Sequence, residues 1–167
     1  MGLLEPHGRS RQLFRLDALT LDTPVIVVHA PAHAVAALTA AAEVGREVIL
    51  ASAAEAGIYA GPGWWRELIA AARAVVPTAQ STALLDCGDD AGAAQGAIRG
   101  GAEGIIFTGR AEIAGRLADI ARERDCRLVT ERPDPALDLA AEFFAPPDRL
   151  RRRCAEYLSA YSSIRSD

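Results

Sequence analysis

The sequence predicts an α/β fold, with about five parallel strands alternating with helices and a C-terminal helix after them. Short apolar runs such as Val25-Ile26-Val27-Val28 and Val48-Ile49-Leu50-Ala51 recur along the chain and are too short for helices. Longer segments with apolar residues at helical spacing separate them, the alternation that builds βαβ units. The runs are apolar at consecutive positions rather than at every second one. Each strand is therefore covered on both faces, as in a parallel sheet.

The elements follow in order. Residues 24–29 form the first strand, and helical spacing over 32–44 ends at Gly45, a residue suited to the left-handed position that closes a helix. Residues 47–52 give the second strand. Residues 53–63, with Gly57, Gly61, Pro62 and Gly63, read as a mobile, lid-like loop ahead of a helix over 64–76, which Pro77 closes. Strand three covers 82–86, and Asp90 or a neighbour caps a helix reaching Gly100. Residues 104–108 and 127–130 are strands four and five, with a helix over 111–124 between them.

Residues 134–139 read as a turn or short helix, Pro146-Pro147 as a stop, and Asp148 as an N-cap. The terminal helix over 149–162 then carries Leu150, Cys154, Tyr157, Leu158 and Tyr161 on one face. Its Arg149, Arg151, Arg152 and Arg153 read as a solvated face, or else as a contact for an acidic partner, a phosphate ligand or another subunit. The chain divides into a lead-in over 1–22, a βα-repeat domain over 23–133, and a helical extension over 134–167 packed on that domain. Right-handed crossovers leave an open doubly wound sheet or a half-barrel, because a whole (β/α)₈ barrel takes about 250 residues.

Composition narrows the classes of function. At 167 residues, 50% hydrophobic and 24% charged, the chain suits one globular domain. Its eighteen basic residues are all arginine, which excludes Schiff-base chemistry on a lysine amine and a phosphate loop of the usual Gly-Lys kind. A net charge of −4 gives no general pull toward nucleic acid. No apolar run nears the roughly 20 residues of a membrane span. Three widely spaced cysteines make no disulfide framework, and the first residues lack the apolar core of a signal peptide, so a cytoplasmic location is expected.

Chemistry in parallel α/β folds sits at the carboxyl ends of the strands. His29, Ser52, Asp86, Cys87, Thr108 and Glu131 stand there, a set holding a base, a nucleophile and carboxylates. Polar residues also occur at strand ends simply because the chain leaves the core there. His29, His33 and Cys87 are the residues from which a zinc site could be assembled. Of the adjacent Trp64 and Trp65, one faces the core and the other is free to cover the rim, bind a ligand or meet another subunit.

Residues 24–109 resemble the first half of class II, zinc-dependent fructose-bisphosphate aldolases. The resemblance rests on Glu47-Val48-Ile49-Leu50-Ala51-Ser52 with Tyr59-Ala60-Gly61, and on Leu84-Leu85-Asp86-Cys87-Gly88, which is similar to that family's Leu-Asp-His-Gly strand end. Gly100-Gly101-Ala102-Glu103-Gly104-Ile105-Ile106 is similar to the next helix end and strand. The resemblance implies a barrel-type fold and gives Asp86 the place of the catalytic acid/base. The zinc-ligand histidine next to it is Cys87 here, and the ligands and phosphate-binding glycines of the family's second half have no counterpart. The expectation is a degenerate, non-catalytic aldolase-like domain that binds a small ligand or a protein partner and self-associates as a homo-oligomer. The alternative is a small lyase using Asp86 as acid/base, with His29 or Cys87 assisting and Ser52, Thr108, Glu131 and Trp64 contacting the ligand. No cofactor other than zinc is implied.

Overall fold

The computed structural model describes residues 23–161; the lead-in over 1–22 lies outside the described residues. Six strands form one parallel sheet: β1 (Val25–Val28), β2 (Val48–Ser52), β3 (Ser81–Asp86), β4 (Gly104–Ile106), β5 (Arg127–Val129) and β6 (Ala136–Asp138). Their order is β5-β4-β3-β2-β1-β6, so five strands follow the sequence and the sixth crosses back to pair with β1. Six helices accompany them: α1 (Pro31–Val44), α2 (Ala56–Tyr59), α3 (Gly61–Val75), α4 (Ala91–Arg99), α5 (Ala111–Glu123) and α6 (Pro147–Ala160).

Strand alternation sorts the apolar residues into two clusters. Ile26, Val28, Leu50, Leu85, Ile105, Leu128 and Leu137 meet residues of the long helices, among them Leu38, Leu68, Ile98, Leu117 and Leu158. The opposite set, Val25, Val27, Ile49, Ala51, Leu84, Ile106 and Val129 with Ala136, contains no helical residue and is still buried. A flat sheet could not bury that face without a second layer. Among the described residues no helix covers it, as expected of a sheet that curls and fills its concave side with its own side chains, like the interior of a (β/α)₈ barrel.

The helices keep the same order on the outside, α6 beside α1, α1 beside α3, α3 beside α4 and α4 beside α5. A doubly wound sheet would divide them between two faces. Of the two closures open to the sequence, the molecule takes the curled one, with β5 and β6 left as edges. Helix α1 is the most enclosed. Its Ala34, Ala36, Ala37, Ala40 and Ala41 are buried, small enough for α3, α6 and the sheet to approach it closely.

The expected strands and long helices are present, with three differences. Residues 136–138 are β6 and neither turn nor helix; the segment is short and follows Pro133 and Pro135, and its pairing partner lies far away in the sequence. Residues 53–63 are largely ordered as α2 and the first turn of α3 rather than an extended loop, because Ala56 and Gly57 pack beneath the end of β3. Asp148 lies within the first turn of α6, whose N-cap is Pro146. Asp90 caps α4 as expected, accepting the Ala93 N–H at 2.7 Å.

Candidate functional site at the strand ends

Asp86 and Cys87 are neighbours that leave β3 in opposite directions. Leu84 and Asp86 point to the concave side, whereas Leu85 and Cys87 point to the helices. The Cys87 thiol is fully buried, with burial and the Asp86 charge pushing it up to about 12. Space around it is tight: a Cβ on Gly57 would stand 2.7 Å from its Sγ. Such a thiol stays protonated at neutral pH, so it is a poor nucleophile.

Asp86 is buried too, and both oxygens of its carboxylate are engaged. Oδ1 accepts the backbone N–H groups of Glu55 and Gly88, both at 2.9 Å. Oδ2 is paired with the Arg132 guanidinium, which reaches in from the segment joining β5 to β6. The backbone explains why these groups converge. Gly88 has φ +54 and Glu55 has φ +61, left-handed conformations that turn both N–H groups toward the carboxylate. Ser52 completes the arrangement by accepting the Asp86 N–H at 2.9 Å while its hydroxyl donates to the Ala53 carbonyl.

A second pair forms at the seam of β1 and β6. His29 Nε2 lies 2.6 Å from Asp138 Oδ1, which also accepts the Ala140 N–H at 2.8 Å. Burial alone would raise the Asp138 carboxyl. The Ala140 N–H, His29 and Arg132 outweigh it and hold the group below its ordinary range. His33 stands behind His29, ring centroids 6.0 Å apart, and its Nδ1 accepts the His29 N–H at 3.3 Å. His33 is the third residue of α1 and reaches back past the helix start, as a capping-box side chain does.

The structure thus brings together His29, Ser52 and Asp86 from the expected set and adds Arg132 and Asp138. It turns Cys87 away. Thr108 joins the rim through its backbone N–H, which donates to the Gly88 carbonyl at 2.8 Å, and its side chain is exposed, as is that of Glu131. Trp65 is the buried member of the tryptophan pair; Trp64 lies half-exposed on α3, outside the hydrogen bonds of the rim. Arg132 and Asp138 gave no sequence signal, since one lies in an irregular connection and the other on the strand that the pattern hid. Among the described residues, no three His, Cys, Asp or Glu side chains gather as metal ligands would. His29, His33 and Cys87 do not converge.

No protein family profile matches the chain, and no curated protein matches its sequence. Among solved structures it is similar to one from Coccidioides immitis, described as a candidate fructose-1,6-biphosphate aldolase, with a TM-score of 0.54 and 18% identity. The likeness covers 64% of this chain and 39% of that one, so the chain spans about two-fifths of that structure's length. Identity this low speaks for architecture alone. The molecule is an α/β domain of aldolase-like fold.

Proposed function

We propose that this is a degenerate, non-catalytic aldolase-like domain that binds a small ligand at the carboxyl ends of its strands. The observation that carries the reading is the occupied carboxylate of Asp86. A residue in the place of a catalytic acid/base must present an oxygen to the substrate proton. Here two backbone N–H groups hold Oδ1 and the Arg132 guanidinium stands on Oδ2, so the carboxylate serves as an anchor for the loops of the rim. The donor set at the rim does not suit zinc either, with Cys87 buried on the helix side and the histidines hydrogen-bonded elsewhere. The groups left for a ligand are those at the seam, the free edge of His29, the second oxygen of Asp138 and the outer side of Arg132. The unpaired edges of β5 and β6 support self-association as part of the same reading.

One observation favours the lyase alternative: a histidine oriented by a carboxylate is a competent proton carrier. The purified protein with fructose 1,6-bisphosphate, with and without added zinc, separates the two readings. The expected result is no cleavage above buffer and no retained zinc. Zinc-dependent cleavage lost in Asp86→Asn overturns the proposal.

A further inference from the structure

Residues 139–145 connect β6 to α6, and in their middle Phe143 packs against His33 of α1. Its Nδ1 accepts a hydrogen bond from the His29 backbone, so in the neutral ring the proton sits on Nε2. The ring is fully buried, and among the described residues Nε2 makes no hydrogen bond of normal geometry, although the Phe143 backbone lies close enough to favour the charged ring. Its edge meets the Phe143 ring at 5.5 Å and 73°. Phe143 in turn packs on Phe144, which is 95% exposed. The ends of the segment are fixed, with Leu139 fully buried and its N–H on the Val27 carbonyl and Ala145 packed on the core; between them Ala140 N–H donates to Asp138, and Glu142 pairs with Arg149 and Arg153.

A proton on Nδ1 would break this arrangement. The acceptor for the His29 N–H disappears and two donors face each other, while a cation sits among apolar groups. Every charged group around the ring is already engaged or of the wrong sign. Asp138 on β6 holds His29 and Ala140, and Glu142 in the turn after β6 is paired with Arg149 and Arg153 of α6. His29 at the end of β1 is itself a base, and Arg132 beside Asp138 is positive. Relief comes when Phe143 lifts and His33 reaches water.

We infer that His33 is a pH-sensitive latch, holding the turn around Phe143 against α1 when neutral and releasing it when protonated. The latch goes beyond the binding reading and stands whether or not the rim takes a ligand. Burial holds the imidazole below its ordinary value, with His29 adding to the shift and the Phe143 backbone, Asp138 and Glu142 opposing it. The open form therefore binds the proton more readily. The closed form is fully favoured above about pH 6.5 and loses ground as pH falls below it.

Hydrogen exchange at pH 7.5 and pH 5.0, corrected for intrinsic rates, tests this on the full chain. Protection of the peptide over 139–146 is expected to fall by about tenfold, while β2 and β3 stay unchanged. His33→Gln keeps an acceptor without a titrating proton and should flatten the response. For a variant that fails to fold, histidine ¹⁵N spectra of the wild type replace it: His33 should remain in the Nε2–H form until the segment opens. Titration of His33 with no loss of protection, or a His33→Gln response equal to wild type, overturns the latch.

Discussion

The two ends of the curled sheet are each fastened by an arginine and a carboxylate, and they differ in what they leave over. At the amino end, Arg73 of α3 donates to Ser81 Oγ and the Ser81 carbonyl and pairs with Glu103, which also accepts the Ala83 N–H at 3.0 Å. All three nitrogens of that guanidinium donate to the protein, so the network ties α3 to the starts of β3 and β4. At the carboxyl end, Arg132 gives one nitrogen to Asp86, and the neighbouring His29–Asp138 pair keeps polar atoms without protein partners among the described residues. The same chemistry serves closure at one end and leaves contact groups at the other, the division of labour usual for barrel folds.

Three substitutions probe that contrast, the largest first. Asp86→Ala removes a buried carboxylate and strands a guanidinium and two backbone N–H groups, for an expected loss of about 3–4 kcal/mol in urea unfolding. A loss below about 1 kcal/mol would mean that Asp86 is not an anchor and would reopen its catalytic reading. Gly57→Ala drives a methyl against the Cys87 thiol and the Asp86 carbonyl, 3.0 Å away, and should cost about 1–3 kcal/mol. Gly96→Ala, with nothing within 4 Å in the middle of α4, should instead stabilise by about 0.5–1 kcal/mol.

An effect as small as that of Gly96→Ala belongs to the amino end. Glu103→Gln should cost about 0.5–1 kcal/mol at pH 7, because that pair is half-exposed. Burial would raise the Glu103 carboxyl, but Arg73, the Ala83 N–H and Arg127 hold it below its ordinary value. Its contribution is therefore present above the unfolded value and lost as pH falls through the folded one. Thermal unfolding of wild type and variant should converge in acid; a gap that persists at pH 3 refutes the assignment.

The architecture was legible because each long element carries its own signal. Consecutive β-branched residues mark β1 and β2, Gly45 closes α1, and Asp90 caps α4. What stayed hidden depends on distance rather than pattern. The three residues of β6 become a strand only through β1, and Arg132 becomes part of the site only because the connection from β5 passes the mouth of the sheet. Asp86 and Cys87 look like a joint site in the sequence, and the pleat separates them. Parity along β3 already contained that fact, since Leu84 and Leu85 face opposite sides.

The placement of β6 against β1, and of α6 against α1, also sets an order of events during synthesis. The Arg46 guanidinium donates to the Leu158 carbonyl and Glu43 meets Arg151, contacts between residues more than a hundred positions apart. During synthesis β1 and α1 therefore wait for β6 and α6 before their outer surfaces are covered. In that interval the alanine-rich side of α1 and the bare edge of β1 are open to chaperones, or to the same elements of another nascent chain.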